Sequence, residues 1–86
     1  MTMTKNKNQN LTKYQNILKK TFKLKDKDLK KDIKYNSIKQ WDSVGHMNMI
    51  ANLEDEFKIS MDMDDIIDFS SSKKGIALLK KYKIKF

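Results

Sequence analysis

The run Asp42-Ser43-Val44-Gly45-His46 places an acid, a hydroxyl and an imidazole within five residues. Such groups can build a hydrolytic site, but only with a base held by a third partner. His46 is the single histidine and there is no cysteine, so no base constellation is available to make Ser43 a nucleophile. Thiolate metal sites and disulfides are excluded on the same count. No catalytic residue and no metal ligand is expected. The plainest role of Ser43, shared with Asp42, is to cap a helix, since both types offer a side-chain oxygen to unpaired backbone N–H groups.

A second group of functional types is Glu54, Asp55, Glu56, Asp62, Asp64, Asp65 and Asp68. These acids stand out because the chain carries a net charge of +8. Residues 1–41 hold a net +9, residues 42–72 a net −7, and residues 73–86 a net +6. All nineteen basic residues are Lys, although Arg is the better fork for phosphate and for guanine edges. Compositional bias explains that choice better than a nucleic-acid face does, so no nucleic-acid partner is expected. The acids read either as a solvated face or as a docking face for a basic partner.

The elements that would position these residues are helical. Leu11, Tyr14, Ile17, Leu18 and Phe22 recur at spacings of three and four, the mark of one buried stripe. Met1–Asn10 is polar without periodicity and is expected to fray, leaving residues 1–10 as a flexible tail and 11–86 as the domain. Lys25–Trp41 reads as a long loop pinned by Ile33, Tyr35, Ile38 and Trp41; loops of that length in small domains are more often functional than not. Val44, Met47, Ile50, Leu53 and Phe57 give a stripe along a second helix, about Ser43–Lys58. Asp62, Asp64 and Asp65 suit the start of a short third helix carrying Ile66 and Ile67. Ser72 is placed as the cap of a fourth, with Ile76, Leu78, Leu79 and Tyr82 inward. Gly45 weakens the second helix relative to Ala and so permits a close approach by loop or partner. Met47, Met49, Met61 and Met63 read as adaptable core or rim filler. The fold class is all-α: a small bundle of three main helices plus one short helix, with a long loop between the first and second.

Trp41-Asp42-Ser43-Val44-Gly45-His46-Met47, followed by Leu53-Glu54-Asp55-Glu56-Phe57-Lys58-Ile59, resembles the acyl carrier protein family. There an Asp-Ser-Leu-like tripeptide opens the second helix and a Leu-Glu-x-x-Phe-x-Ile stretch closes it; Val44 replaces the commoner Leu. The resemblance runs from about Leu11 to Tyr82. It implies an acyl-carrier-like bundle and a protein that is not an enzyme but a substrate of its partners. Ser43 matches the attachment point of a 4′-phosphopantetheine arm, which holds an acyl or aminoacyl group as a thioester. Asp42 flanks that position and would orient metal and coenzyme A in the modifying enzyme's complex. His46, one turn on, would approach the phosphate; the plainer expectation is an exposed helix histidine. Trp41 is expected to anchor the loop rather than to touch cargo.

The resemblance further implies a phosphopantetheinyl transferase, an acyl or aminoacyl ligase and a transferase as partners. These would dock on Val44, Met47, Glu54, Asp55, Glu56, Asp62, Asp64 and Asp65. Members of the family are usually acidic throughout, so the basic flanks point to a dedicated partner set in a specialised pathway. The competing expectation is an unmodified helical adaptor that uses the acidic face for docking. No apolar run reaches the roughly 18 residues of a membrane span, so the expectation is a cytoplasmic monomer without a membrane partner.

Overall fold

A computed structural model describes the backbone of residues 2–86 and the side chains from Gln9 onward. Four α-helices follow one another: α1 (Thr2–Phe22), α2 (Ser43–Phe57), α3 (Met63–Asp68) and α4 (Ser72–Lys81), with one turn of 3-10 helix at Asp26–Lys30 in the loop between α1 and α2. No strand occurs among the described residues; Lys34 and Ser71 form one isolated antiparallel bridge.

α1 starts at Thr2 rather than at Leu11. Residues 2–10, expected as a frayed tail, have helical backbone because nothing between Thr2 and Leu11 breaks a helix. Tyr14, Leu18 and Phe22 form its buried stripe, and α1 packs chiefly against α2.

Loop and bundle meet at Trp41, which is fully buried. Its ring stacks on Phe22 at 4.9 Å and meets Phe69 edge-on at 6.3 Å, so the indole fills the space between α1 and the chain leaving α3. Burying so large a ring fixes the residues that precede α2. The loop is also sewn to the start of α4. Tyr35 N–H donates to Ser70 O, Ser72 N–H to Ile33 O (both 2.8 Å), and Ile33 N–H to the Ser72 hydroxyl at 3.0 Å.

That use of Ser72 corrects the expected cap of α4. Ser71 is the N-cap and accepts from Lys74 N–H, whereas Ser72 is the first helical residue. The Asp32 carboxylate accepts from Lys73 N–H at 2.9 Å, a second cap, this one anionic and supplied from the loop. This bond, with those of Ser71 and Ser72, holds the Asp32 carboxyl below its ordinary range. At the end of α2 no glycine is available, and Lys58 takes the left-handed conformation (φ 55) that closes the helix, with its N–H on Glu54 O. A side chain in that region costs on the order of 1 kcal/mol.

The stripe of α2 differs in phase from the sequence reading. His46, Met49, Ile50 and Leu53 are buried, while Val44 and Met47, expected inward, are 69% and 51% exposed. The expected set matched a spacing of three, but the 3.6-residue turn of an α-helix drifts away from that spacing. The face that turns inward is the one continuing through His46 and Met49.

Candidate functional site

Asp42 has extended backbone and its carboxylate accepts from Gly45 N–H at 2.8 Å, which makes it the N-cap of α2. Ser43 is therefore the first helical residue and is exposed. The N–H groups of Ser43 and Val44 find no acceptor among the described residues, as expected for a first turn whose third amide alone is capped. A Cβ added at Gly45 would collide with the backbone oxygen of Gln40. The loop thus crosses the first turn of α2 at a distance only glycine allows, and holds Ser43 at a fixed place.

Ser43 stands on the lip of a groove of about 380 Å³ between α2, α3 and the loop. Tyr35, His46, Met47, Met63, Ile66, Ile67, Phe69 and Ser70 complete its walls, which are mostly apolar. Three of these wall residues, Met47, Met63 and Ile67, and Val44 next to Ser43 in the chain, are more than half exposed. Scattered exposed apolar residues are ordinary, but a cluster around one groove marks a binding surface.

His46 is placed otherwise than expected. It lies in the groove wall but is buried, and both ring nitrogens are engaged inward. Nδ1 accepts from the Trp41 indole N–H at 2.9 Å, which leaves the proton on Nε2 to donate to Ile66 O at 2.8 Å. A ring with no free nitrogen does not reach a phosphate on Ser43. His46 instead ties the start of α2 to α3. Histidine's residue type gives no hint of this, because the partner carbonyl lies twenty residues away.

Tyr35 is the groove residue that sequence reasoning missed. Read there as a loop anchor, it is 42% exposed, with its ring edge-on to His46 at 5.4 Å. No spacing signal separates it from the buried anchors Ile33 and Trp41.

The acids divide into two kinds. Asp55, Glu56, Asp62, Asp64 and Asp68 are exposed; Glu56 pairs with Lys13 at 3.6 Å and Asp68 with Lys74 at 3.3 Å. Glu54 and Asp65, expected on the docking face, are committed to the fold. The Glu54 carboxylate accepts from Met61 N–H at 2.9 Å. Asp65 is buried, receives Lys81 Nζ at 2.7 Å and accepts the Tyr82 hydroxyl proton. The bond from Lys81, then that from Tyr82, hold the Asp65 carboxyl below its ordinary range. The same contacts raise the Lys81 ammonium and the Tyr82 phenol. Tyr82 also accepts from Asp62 N–H at 2.9 Å, so its hydroxyl joins the start of α3 to the end of α4.

No cluster of three or more His, Cys, Asp or Glu side chains suited to a metal occurs among the described residues. No family model, curated protein or solved structure matches the chain.

Proposed function

We propose that the protein is an acyl carrier, with a 4′-phosphopantetheine arm attached to Ser43. The observation that carries this reading is the setting of Ser43: an exposed hydroxyl at the first residue of a capped helix, beside an apolar groove and an exposed apolar cluster. The residues fit a phosphodiester at that point. Two free backbone N–H groups and the positive end of α2 favour an anion there, and the buried Trp41 and the crossing at Gly45 keep its root from drifting. On modification the Ser43 oxygen attacks the β-phosphorus of coenzyme A. The phosphate–phosphate bond breaks, adenosine 3′,5′-bisphosphate leaves with the bonding pair, and the hydroxyl proton passes to a base of the transferase.

The arm, when bound, supplies the thiol that holds an acyl or aminoacyl group as a thioester. The chain's own residues present and position it, without catalysis, so that tethering raises the effective concentration of the cargo at each partner enzyme. Val44, Met47, Met63 and Ile67 supply apolar contact, and Asp55, Asp62 and Asp64 the charge that steers basic partners. A specialised pathway in the cytoplasm fits the basic flanks, and a monomer is the expected state.

The test is intact mass after incubation with coenzyme A and a broad-specificity phosphopantetheinyl transferase, beside Ser43→Ala. One added arm in the parent and none in the variant is expected. A second reading, an unmodified adaptor, draws on the same exposed cluster, which needs no arm to bind a partner. A folded parent that stays unmodified favours it.

A further inference from the structure

Three lysines gather at and past the end of α4, where the chain packs against the last residue of α2 and not the first. Lys80, Lys83 and Lys85, with Ile84 and Phe86, line a shallow concavity of about 650 Å³. None of the three is paired with a carboxylate among the described residues, whereas Lys74 and Lys81 beside them are bound to Asp68 and Asp65. Residues 73–86 contain no acid at all. The concavity is held in shape. Lys83 takes a left-handed turn (φ 67) that brings the chain back on itself. Asn10 Nδ2 donates to Lys85 O at 2.8 Å, and the Phe86 ring meets Tyr14 edge-on at 5.9 Å and Phe57 at 6.4 Å. Phe57 is the last residue of α2 and Ser43 the first, which separates the two ends by roughly 20 Å at 1.5 Å per residue.

We propose that this lysine surface docks the protein on an anionic phospholipid membrane. Lysine ammoniums act as point charges toward a sheet of phosphates and need no fixed partner geometry. A nucleic acid would be better served by arginine forks or by exposed rings for base stacking; this surface has no arginine, and its one ring, Phe86, is half-buried against Tyr14 and Phe57. A protein partner would be expected to use apolar anchors, yet of the large exposed apolar side chains, Tyr35, Val44, Met47, Met63 and Ile67, none lines this concavity and four line the groove. No helix among the described residues is long and apolar enough to cross a membrane, and surface docking needs none. The proposal departs from the sequence-based expectation of no membrane partner. Docked this way, the protein would turn Ser43 away from the membrane, so binding and modification would not compete. The inference stands independently of the arm.

The experiment is sedimentation of the full chain with vesicles of phosphatidylcholine containing phosphatidylglycerol, beside vesicles of phosphatidylcholine alone. Binding to the anionic vesicles only, released by salt, is expected. At about fivefold per lysine, Lys80→Gln, Lys83→Gln and Lys85→Gln together should weaken it about 100-fold. Lys25→Gln, Lys27→Gln and Lys30→Gln, an equal loss of charge on the loop, should leave it within a few fold. Equal loss in both triple variants assigns the binding to net charge and overturns the proposal, as does equal binding to neutral vesicles. Tighter retention of duplex DNA by the same three lysines makes the surface a nucleic-acid face instead. Circular dichroism confirms that each variant is folded.

Discussion

The Trp41 indole N–H donates to His46 Nδ1, and His46 passes its own Nε2 proton to the carbonyl of Ile66. Two side chains five residues apart thereby join the loop, α2 and α3 around the groove. Removing the middle member leaves a buried indole N–H without an acceptor, as well as a cavity. His46→Ala should lower stability by about 3 kcal/mol. Urea unfolding followed by the fluorescence of the single tryptophan reads it directly; a change under about 0.5 kcal/mol, the usual range of a surface site, would show that the chain of bonds does not hold the elements together.

Gly45 tests the loop crossing separately. Ala is the better helix former by about 1 kcal/mol, so a Gly45→Ala change in an open helix would stabilise. Here the methyl meets the backbone of Gln40, which cannot give way without moving the segment leading to Trp41. The expected result is a loss of about 2 kcal/mol, measured by thermal melting, with slower transfer of the proposed arm to Ser43. A gain in stability would mean the crossing is loose.

Acid titration reads Asp65. Its folded pKa lies below the unfolded value because Lys81 and Tyr82 favour the carboxylate. The stabilisation is therefore complete above about pH 4, the unfolded value, and is lost as pH falls through the lower folded one. Asp65→Asn should flatten this part of the stability profile without abolishing it, since Asp32 is lowered as well. An unchanged profile contradicts the assignment.

Leu53 is fully buried, and Leu53→Ala should cost about 2 to 5 kcal/mol, a large part of the stability of a domain this size. Chemical denaturation of the purified variant checks it. Met63→Ser, by contrast, removes an exposed side chain and should change stability by less than about 0.5 kcal/mol while weakening any partner held at the groove.

The helix order and the position of Ser43 were legible in the sequence because both rest on local rules: apolar spacing for α1 and α4, and an Asp-Ser pair ahead of an apolar run for α2. What escaped is non-local. The inward turn of His46 depends on Trp41 and Ile66, the commitment of Asp65 depends on Lys81 and Tyr82, and Ser71 displaces Ser72 as cap because Asp32 and Ile33 claim Ser72 from the loop. Val44 and Met47 fit the apolar spacing that reads as inward, yet the burial of a helix face is set by its neighbours. The exposure of Tyr35 followed from no pattern at all.

The stitching of the loop to the start of α4 also bears on the order in which the chain folds. Ile33 and Ser72, like Asp32 and Lys73, are about forty residues apart, and contacts of such separation close only after the intervening chain has collapsed. Helix pairing of α1 with α2 can come early, whereas the crossing that fixes Ser43 must wait for α4. A ribosome-bound chain still lacking α4 would thus expose the serine without its finished setting. Loss of α4 by proteolysis would undo that setting in a protein whose first two helices remain intact.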